Sequence, residues 1–154
     1  MNPATPAYAR DELLRTISEG LPDAIFVKDL DGRYVLINKP GADKMGLTPA
    51  EMIGRTDADL FDETTASVFR DHDAAAIAAD QPVTSEASVS MNGRNIWFQT
   101  IKAPWRDAEG IVRGVLGISR DITELREAEA QLRALQQRME ATERELRVSE
   151  ERFR

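Results

Sequence analysis

The sequence predicts an α+β domain: a five-stranded antiparallel sheet with short helices on one face, plus an N-terminal amphipathic helix and a long C-terminal coiled-coil helix. Three observations predict it. Two β-rich runs flank Asp31-Gly32 and two more flank Asn92-Gly93, and both dipeptides favour the tight turns of hairpins. Between those hairpins lie helix starts and stops rather than further strands. After Asp121 apolar side chains recur at intervals of three and four, with no Gly or Pro to interrupt them. Hairpins on both sides of a helical insert fit a sheet covered by helices on one face.

Taken in order, residues 1–8 carry Pro3, Pro6 and small side chains, the composition of a disordered start. Residues 10–20 read as a helix with Leu13, Leu14 and Ile17 on one face, ended by Gly20 and Leu21-Pro22. Strands at Ala24–Asp29 and 33–38 make the first hairpin. Asn38 can cap the next turn, which Pro40 and Gly41 keep short. Thr48-Pro49-Ala50-Glu51 is a helix start with Thr at the N-cap, Pro at N1 and Glu at N3, and Gly54 ends it soon after. Thr56-Asp57-Ala58-Asp59 is a second cap-rich start. Residues 63–80 form a longer helix with Val68, Phe69, Ala76 and Ile77 on its apolar face, stopped at Gln81-Pro82. Val83–Met91 alternates apolar and polar residues as a half-buried strand does. Residues 94–103 are its partner, with Pro104 as the end, and 106–110 form a polar loop. Residues 111–120 are the last strand. Asp121 then offers an N-cap oxygen with Glu124 three residues later, a capping-box-like start. No Gly or Pro follows Gly117, so the strand should run into the helix without a loose joint.

Composition narrows the function. The chain has 154 residues, one domain plus an extension. A net charge of −7 argues against nucleic acid or an anionic membrane as the main partner. There are no cysteines, hence no disulfides, thiolate chemistry or Cys-based zinc site. The N-terminus lacks a signal-peptide pattern, and no apolar stretch approaches the roughly 20 residues of a membrane span. A cytoplasmic location is expected if Met1 is native.

Asp121-Ile122-Thr123 resembles the Asp-Ile-Thr signature that ends PAS sensor domains of bacterial signalling proteins. The resemblance covers residues 21–123. It includes Phe26-Val27-Lys28-Asp29-Leu30-Asp31-Gly32, Asn38, the segment from Met45-Gly46-Leu47 through Met52-Ile53-Gly54, and Thr56-Asp57-Ala58-Asp59-Leu60-Phe61. Each piece is modest alone; their shared order and spacing make the match specific. The organisation read from the chain is then residues 1–20 as a disordered start and helix, 21–123 as the PAS domain, and 124–154 as a coiled-coil signalling helix leading to a downstream module. The PAS resemblance implies no enzyme activity in this segment. It implies a sensory module of a two-component or related signalling protein, of the histidine kinase or diguanylate cyclase type, whose output domain lies in cis. Light-sensing relatives that use flavin–thiol photochemistry need a cysteine that this chain lacks.

Leu125, Ala128, Leu132, Leu135, Met139, Thr142, Leu146, Ser149 and Phe153 define an unbroken heptad. It predicts a parallel homodimer whose seam is Leu125, Ala128, Leu132, Leu135, Met139 and Leu146. Glu129→Arg133, Glu140→Arg144 and Glu143→Arg147 are favourable i,i+4 pairs within one helix. Between helices Arg138 would face Glu143, while Glu145 would face Glu150. The coil should be firm near 132–139 and loose at its end, as a signalling helix requires. Asp121, Thr123 and Glu124, at the joint between strand and helix, are the candidate signal-coupling residues.

Little else in the sequence carries chemistry. His72 is the one histidine, and the resemblance offers it as a haem ligand. Arg70, Asp71 and Asp73 around it favour a surface position instead, so no cofactor is expected. Asp57, Asp59, Asp62 and Glu63 lack the central Gly and closing Glu of a calcium loop and read as helix caps. No phosphate loop, Ser–His–Asp set or metal-ligand cluster is present in the sequence. A small-ligand pocket could be lined by Ile25, Val27, Leu36, Ile53, Phe69, Ile77, Phe98, Leu116 and Ile118, residues that a packed core explains equally well. The alternatives to a ligand sensor are a ligand-free dimerisation spacer and, less favoured, a haem gas sensor.

Overall fold

The computed structural model describes residues 7–91 and 93–154, with side chains from Ala9 onward. Of the disordered start expected for residues 1–8, Ala7 and Tyr8 instead open the first helix, while residues 1–6 and the turn role of Asn92 lie outside the described residues. The chain divides into two compact units, one ending at Asp121 and the other spanning Ile122–Arg154.

The first unit opens with α1, Ala7–Gly20, whose Leu13, Leu14 and Ile17 remain exposed. Strand β1, Ala24–Asp29, and strand β2, Tyr34–Ile37, form the first hairpin. Its turn is closed by the Asp29 carboxylate, which accepts from the backbone N–H of Asp31 and Arg33, and Gly32 takes φ 77°. Four helices follow. They are α2, Lys39–Lys44; α3, Pro49–Met52; α4, Asp57–Leu60; and α5, Glu63–Ala79. Each has the start its sequence predicts. The Asn38 side chain caps α2, Thr48 and Glu51 form a capping box on α3, Asp59 accepts from the Thr56 N–H, and Asp62 caps α5. Strands β3, Val83–Met91, β4, Arg94–Arg106, and β5, Val112–Asp121, complete one antiparallel sheet in the order β2-β1-β5-β4-β3.

Two expectations change. Pro104 does not end its strand: β4 runs through it, with Pro104 opposite Val115, and the register breaks only between Trp105 and Arg106. β3 ends opposite Lys102, so at Pro104 only one edge of β4 is paired, and proline is tolerated where a strand edge is free. On α5, Val68 is exposed, and the fully buried positions are Ala66 and Ala76.

The sheet's centre is a close approach of backbones. A Cβ on Gly114 would lie 1.8 Å from the Lys28 carbonyl oxygen, and one on Gly117 would lie 2.2 Å from the Phe26 ring. Only glycine allows β5 to sit so near β1 and its side chains. Under β1 and β2, Phe26, Tyr34, Ile37, Ala42 and Met52 form the buried core, with Met45, Leu47 and Leu60 packed against it. Asn38 ties this end together. Its Oδ1 accepts from Ile25 N and Gly41 N, while its Nδ2 donates to Ser18 O and Asp23 O. All four hydrogen-bonding positions of a buried amide are thereby used.

The second unit is one helix, α6, Thr123–Arg152, with none of its residues buried. Leu125, Leu132, Leu135, Met139 and Leu146 are exposed along it. Of the expected i,i+4 pairs, Glu140–Arg144 is formed at 3.5 Å.

Candidate ligand cavity

Strand parity decides which side chains meet beneath the sheet. In β1 the residues facing inward are Ala24, Phe26 and Lys28, all buried, while Ile25, Val27 and Asp29 are only partly so. In β4 the inward set includes Phe98, Thr100 and Lys102, which line the same cavity. Helix α5 supplies Phe69, His72 and Asp73, whose spacings of three and four bring them to one face.

Two lysines are thus driven into the interior, at 2% and 4% exposure for Lys28 and Lys102. An isolated buried ammonium is untenable, and each is paired. Lys28 Nζ lies 2.5 Å from Asp57 Oδ2 and 2.9 Å from Asp73 Oδ2. Lys102 Nζ lies 2.5 Å from Asp73 Oδ1. The Tyr34 hydroxyl donates to the other oxygen of Asp57 at 2.8 Å. The result is a continuous network, Tyr34–Asp57–Lys28–Asp73–Lys102, reaching from β2 to β4. Aromatic rings flank the ammonium groups: Lys28 Nζ lies 5.4 Å from the Phe26 centroid and 5.1 Å from that of Tyr34, and Lys102 Nζ lies 5.5 Å from that of Phe69.

Burial leaves its mark on titration. The Tyr34 hydroxyl is raised well above its ordinary value, first by burial and then by the charge of Asp57. Burial lowers Lys102, against the opposing pull of Asp73. Burial also lowers His72, and the Lys102 charge lowers it further.

Beside the network is a cavity of about 80 Å³. Phe26, Met52, Phe61, Phe69, Phe98 and Val89 give it an apolar floor. Lys28, Lys44, Lys102 and His72 give it a basic wall, and Ser85, Thr100 and Ser119 add hydroxyls. Among the described residues no Asp or Glu lines it, and no group of three or more His, Cys, Asp or Glu could hold a metal. No helix among the described residues is long and apolar enough to cross a membrane.

The candidate positions read from the sequence separate here. Phe69 and Phe98 line the cavity; Ile25, Val27, Leu36, Ile53, Ile77, Leu116 and Ile118 do not. Leu36, Ile53, Leu116 and Ile118 are exposed; on β5 this is because Val115 and Gly117 turn inward instead. His72 is corrected from a surface residue to a half-buried one on the cavity wall. Asp57 is corrected from a helix cap to a buried ion-pair partner. Asp121 is not the N-cap of α6: it is the last residue of β5, opposite Phe98, and Ile122 occupies the cap position without a side-chain cap bond. The ion network was missed altogether. Its one signal was phase: Lys28 is in step with Ala24 and Phe26, and Lys102 with Phe98 and Thr100.

Comparisons with known proteins agree with this geometry. The family model described as PAS fold matches residues 18–127. The chain is 34% identical over 123 residues to the methanogenesis regulatory histidine kinase FilI of Methanothrix harundinacea, covering 79% of this chain and 14% of that protein. It is 28% identical over 117 residues to the virulence sensor protein BvgS of Bordetella pertussis, covering 73% of this chain and 10% of BvgS. The chain therefore spans a small part of the curated relatives it matches. The solved PAS domain of Bordetella pertussis BvgS superposes with a TM-score of 0.63 at 27% identity, over 84% of this chain and 98% of that one. Vibrio cholerae VqmA, solved in a complex with ligand and DNA, gives a TM-score of 0.67 at 25% identity, over 79% of this chain and 54% of that one.

Proposed function

The chain belongs to the PAS fold family, and on that basis we propose that it is the sensory module of a multidomain signalling protein of the histidine kinase type. Its ligand occupies the cavity beneath the sheet. The response leaves through β5 and the Asp121-Ile122-Thr123 joint into α6, with Asp121, Thr123 and Glu124 as coupling residues. One observation carries this reading: Ser119 is part of the cavity wall and lies on the same strand, two positions before its last residue Asp121. A change in the cavity thus acts on the strand that continues into the output helix. The relatives support the class, since FilI is named a regulatory histidine kinase and BvgS a virulence sensor.

The module works as a parallel homodimer through α6. A helix with none of its residues buried and a heptad stripe of Leu125, Leu132, Leu135, Met139 and Leu146 exposed gains most of its stability only when that stripe is covered. The heptad makes a second copy of α6 the matching cover.

The test uses the full receptor carrying Ala87→Phe, a substitution that fills the cavity from β3. Signal-dependent autophosphorylation should be lost while basal activity and thermal melting stay near wild type. Full signal response with a filled cavity would instead leave a ligand-free dimerisation spacer as the function.

A further inference from the structure

We infer that the cavity receives a small organic anion, a monocarboxylate on an apolar body. This deepens the sensory reading above and rests on it. The wall is sorted by charge. Lys28, Lys44, Lys102 and His72 line it, whereas Asp57 and Asp73, which neutralise the two buried lysines, do not. The basic residues therefore border the space and their counter-ions do not.

The donors are also left over. An ammonium has three N–H groups. Lys28 directs two of its own to Asp57 and Asp73. Lys102 directs one to Asp73 and another, at 3.4 Å, to the Phe69 carbonyl. Among the described residues no acceptor takes the third N–H of either, which leaves it available to a bound group. Lys44 lines the same space and makes no ion pair among the described residues. Charge-assisted hydrogen bonds to a carboxylate are roughly twice as strong as neutral ones, and an apolar surround strengthens them further.

The remainder of the lining is largely apolar, and Met52, Phe61, Val89 and Phe98 accept an apolar chain or small ring. A water needs about 10–15 Å³ of such space, so about 80 Å³ holds a molecule of roughly five to eight non-hydrogen atoms. A cationic ligand would meet like charge, and a fully apolar one would cover the ammonium groups without partnering them.

Titration of the full chain with pentanoate, pentanamide and pentylammonium, followed by NMR of the backbone amides, tests this. The three probes share a five-carbon chain and differ in the charge of the head group. Pentanoate should bind at least ten-fold more tightly than either, with shifts at Ser119 and Thr100. Lys102→Met should reduce that preference to near unity. Lys44→Met, at a half-exposed site that leaves the buried network intact, should reduce it several-fold and keeps the test valid if the first variant unfolds. Equal binding of pentanoate and pentanamide, tighter binding of pentylammonium, or no binding of any probe would overturn the anion assignment. Equal binding would leave the sensory reading standing; that reading fails separately, when the filled cavity still supports a full signal response.

Discussion

At the scale of single residues, the molecule's unusual investment is the pair of buried lysines. Taking two ammoniums and two carboxylates out of water costs several kcal/mol per ion before their attraction is counted. The network is tolerable because each member keeps a partner. Removing one member strands another, so Asp57→Ala should destabilise the first unit by about 3–5 kcal/mol in urea unfolding, with Tyr34 also losing its acceptor. Replacing Lys28 and Asp57 together by Met and Leu should recover most of that loss, since an apolar pair leaves less charge uncompensated. His72 makes a pH prediction. Burial and Lys102 lower it, and Asp73 and Asp71 pull the other way without prevailing. The folded chain then holds this proton less readily than the unfolded chain does. Stability is intact above the ordinary histidine value of about 6.5 and falls as pH drops below it toward the lowered folded value. The urea midpoint of wild type should fall over that window more than that of His72→Gln. Parallel curves would show that His72 contributes nothing to acid sensitivity.

At the scale of elements, β5 is where small changes act most. Gly114→Ala would push a methyl group into the Lys28 carbonyl, and its cost should reach about 3 kcal/mol, the upper end for overpacked sites. Gly20→Ala, where a Cβ meets nothing within 4 Å, should stay within about 1 kcal/mol. Comparing the two by thermal melting separates close approach from glycine's flexibility. The elements themselves were legible in the sequence because their signals are local. Asp-Gly closed the first turn, Thr48 and Glu51 capped a helix, and alternation marked Val83–Met91. The faces of the strands were not legible. In Ala-Ile-Phe-Val-Lys-Asp each phase holds apolar residues and one charge, Lys28 in one and Asp29 in the other, so alternation alone does not choose the buried face. The sequence offers Ile25 and Val27 as pocket candidates. The structure inverts that choice because Asp57 and Asp73, 29 and 45 residues further along, meet Lys28 in the interior. Long-range pairing of charges leaves no mark at the strand itself. The same error repeated at β5, where Gly117 and Ser119 face inward and Leu116 and Ile118 do not.

At the scale of the whole molecule, the two units differ in what holds them. The first has a core and a paired sheet; the second is a helix whose apolar stripe is exposed within one chain. If α6 is completed by a second copy, its melting is a bimolecular event and that of the sheet is not. Circular dichroism at increasing protein concentration should then raise the midpoint of the helical transition while the sheet's transition moves less. Leu132→Asp should lower the helical midpoint and flatten its concentration dependence, because it places one charge from each chain in the seam. A helical transition that ignores concentration would argue against pairing through α6. How much of the function was legible follows the same division: the heptad of α6 lies in a continuous stretch, whereas the cavity draws on β1, α2, α3, α5, β3, β4 and β5.

The strand order has a consequence for how the chain is made. Ala24 pairs with Ser119, and β1 lies between β2 and the central strand β5. During synthesis the first hairpin leaves the ribosome early, but one edge of β1 stays open until nearly all of the first unit has been translated. The middle of the sheet is therefore the last part that can close, and folding is governed by a long-range encounter rather than by the local turns. Until then the open edge of β1, with Ile25 and Val27 beside it, is the segment most exposed to mispairing with a neighbouring nascent chain.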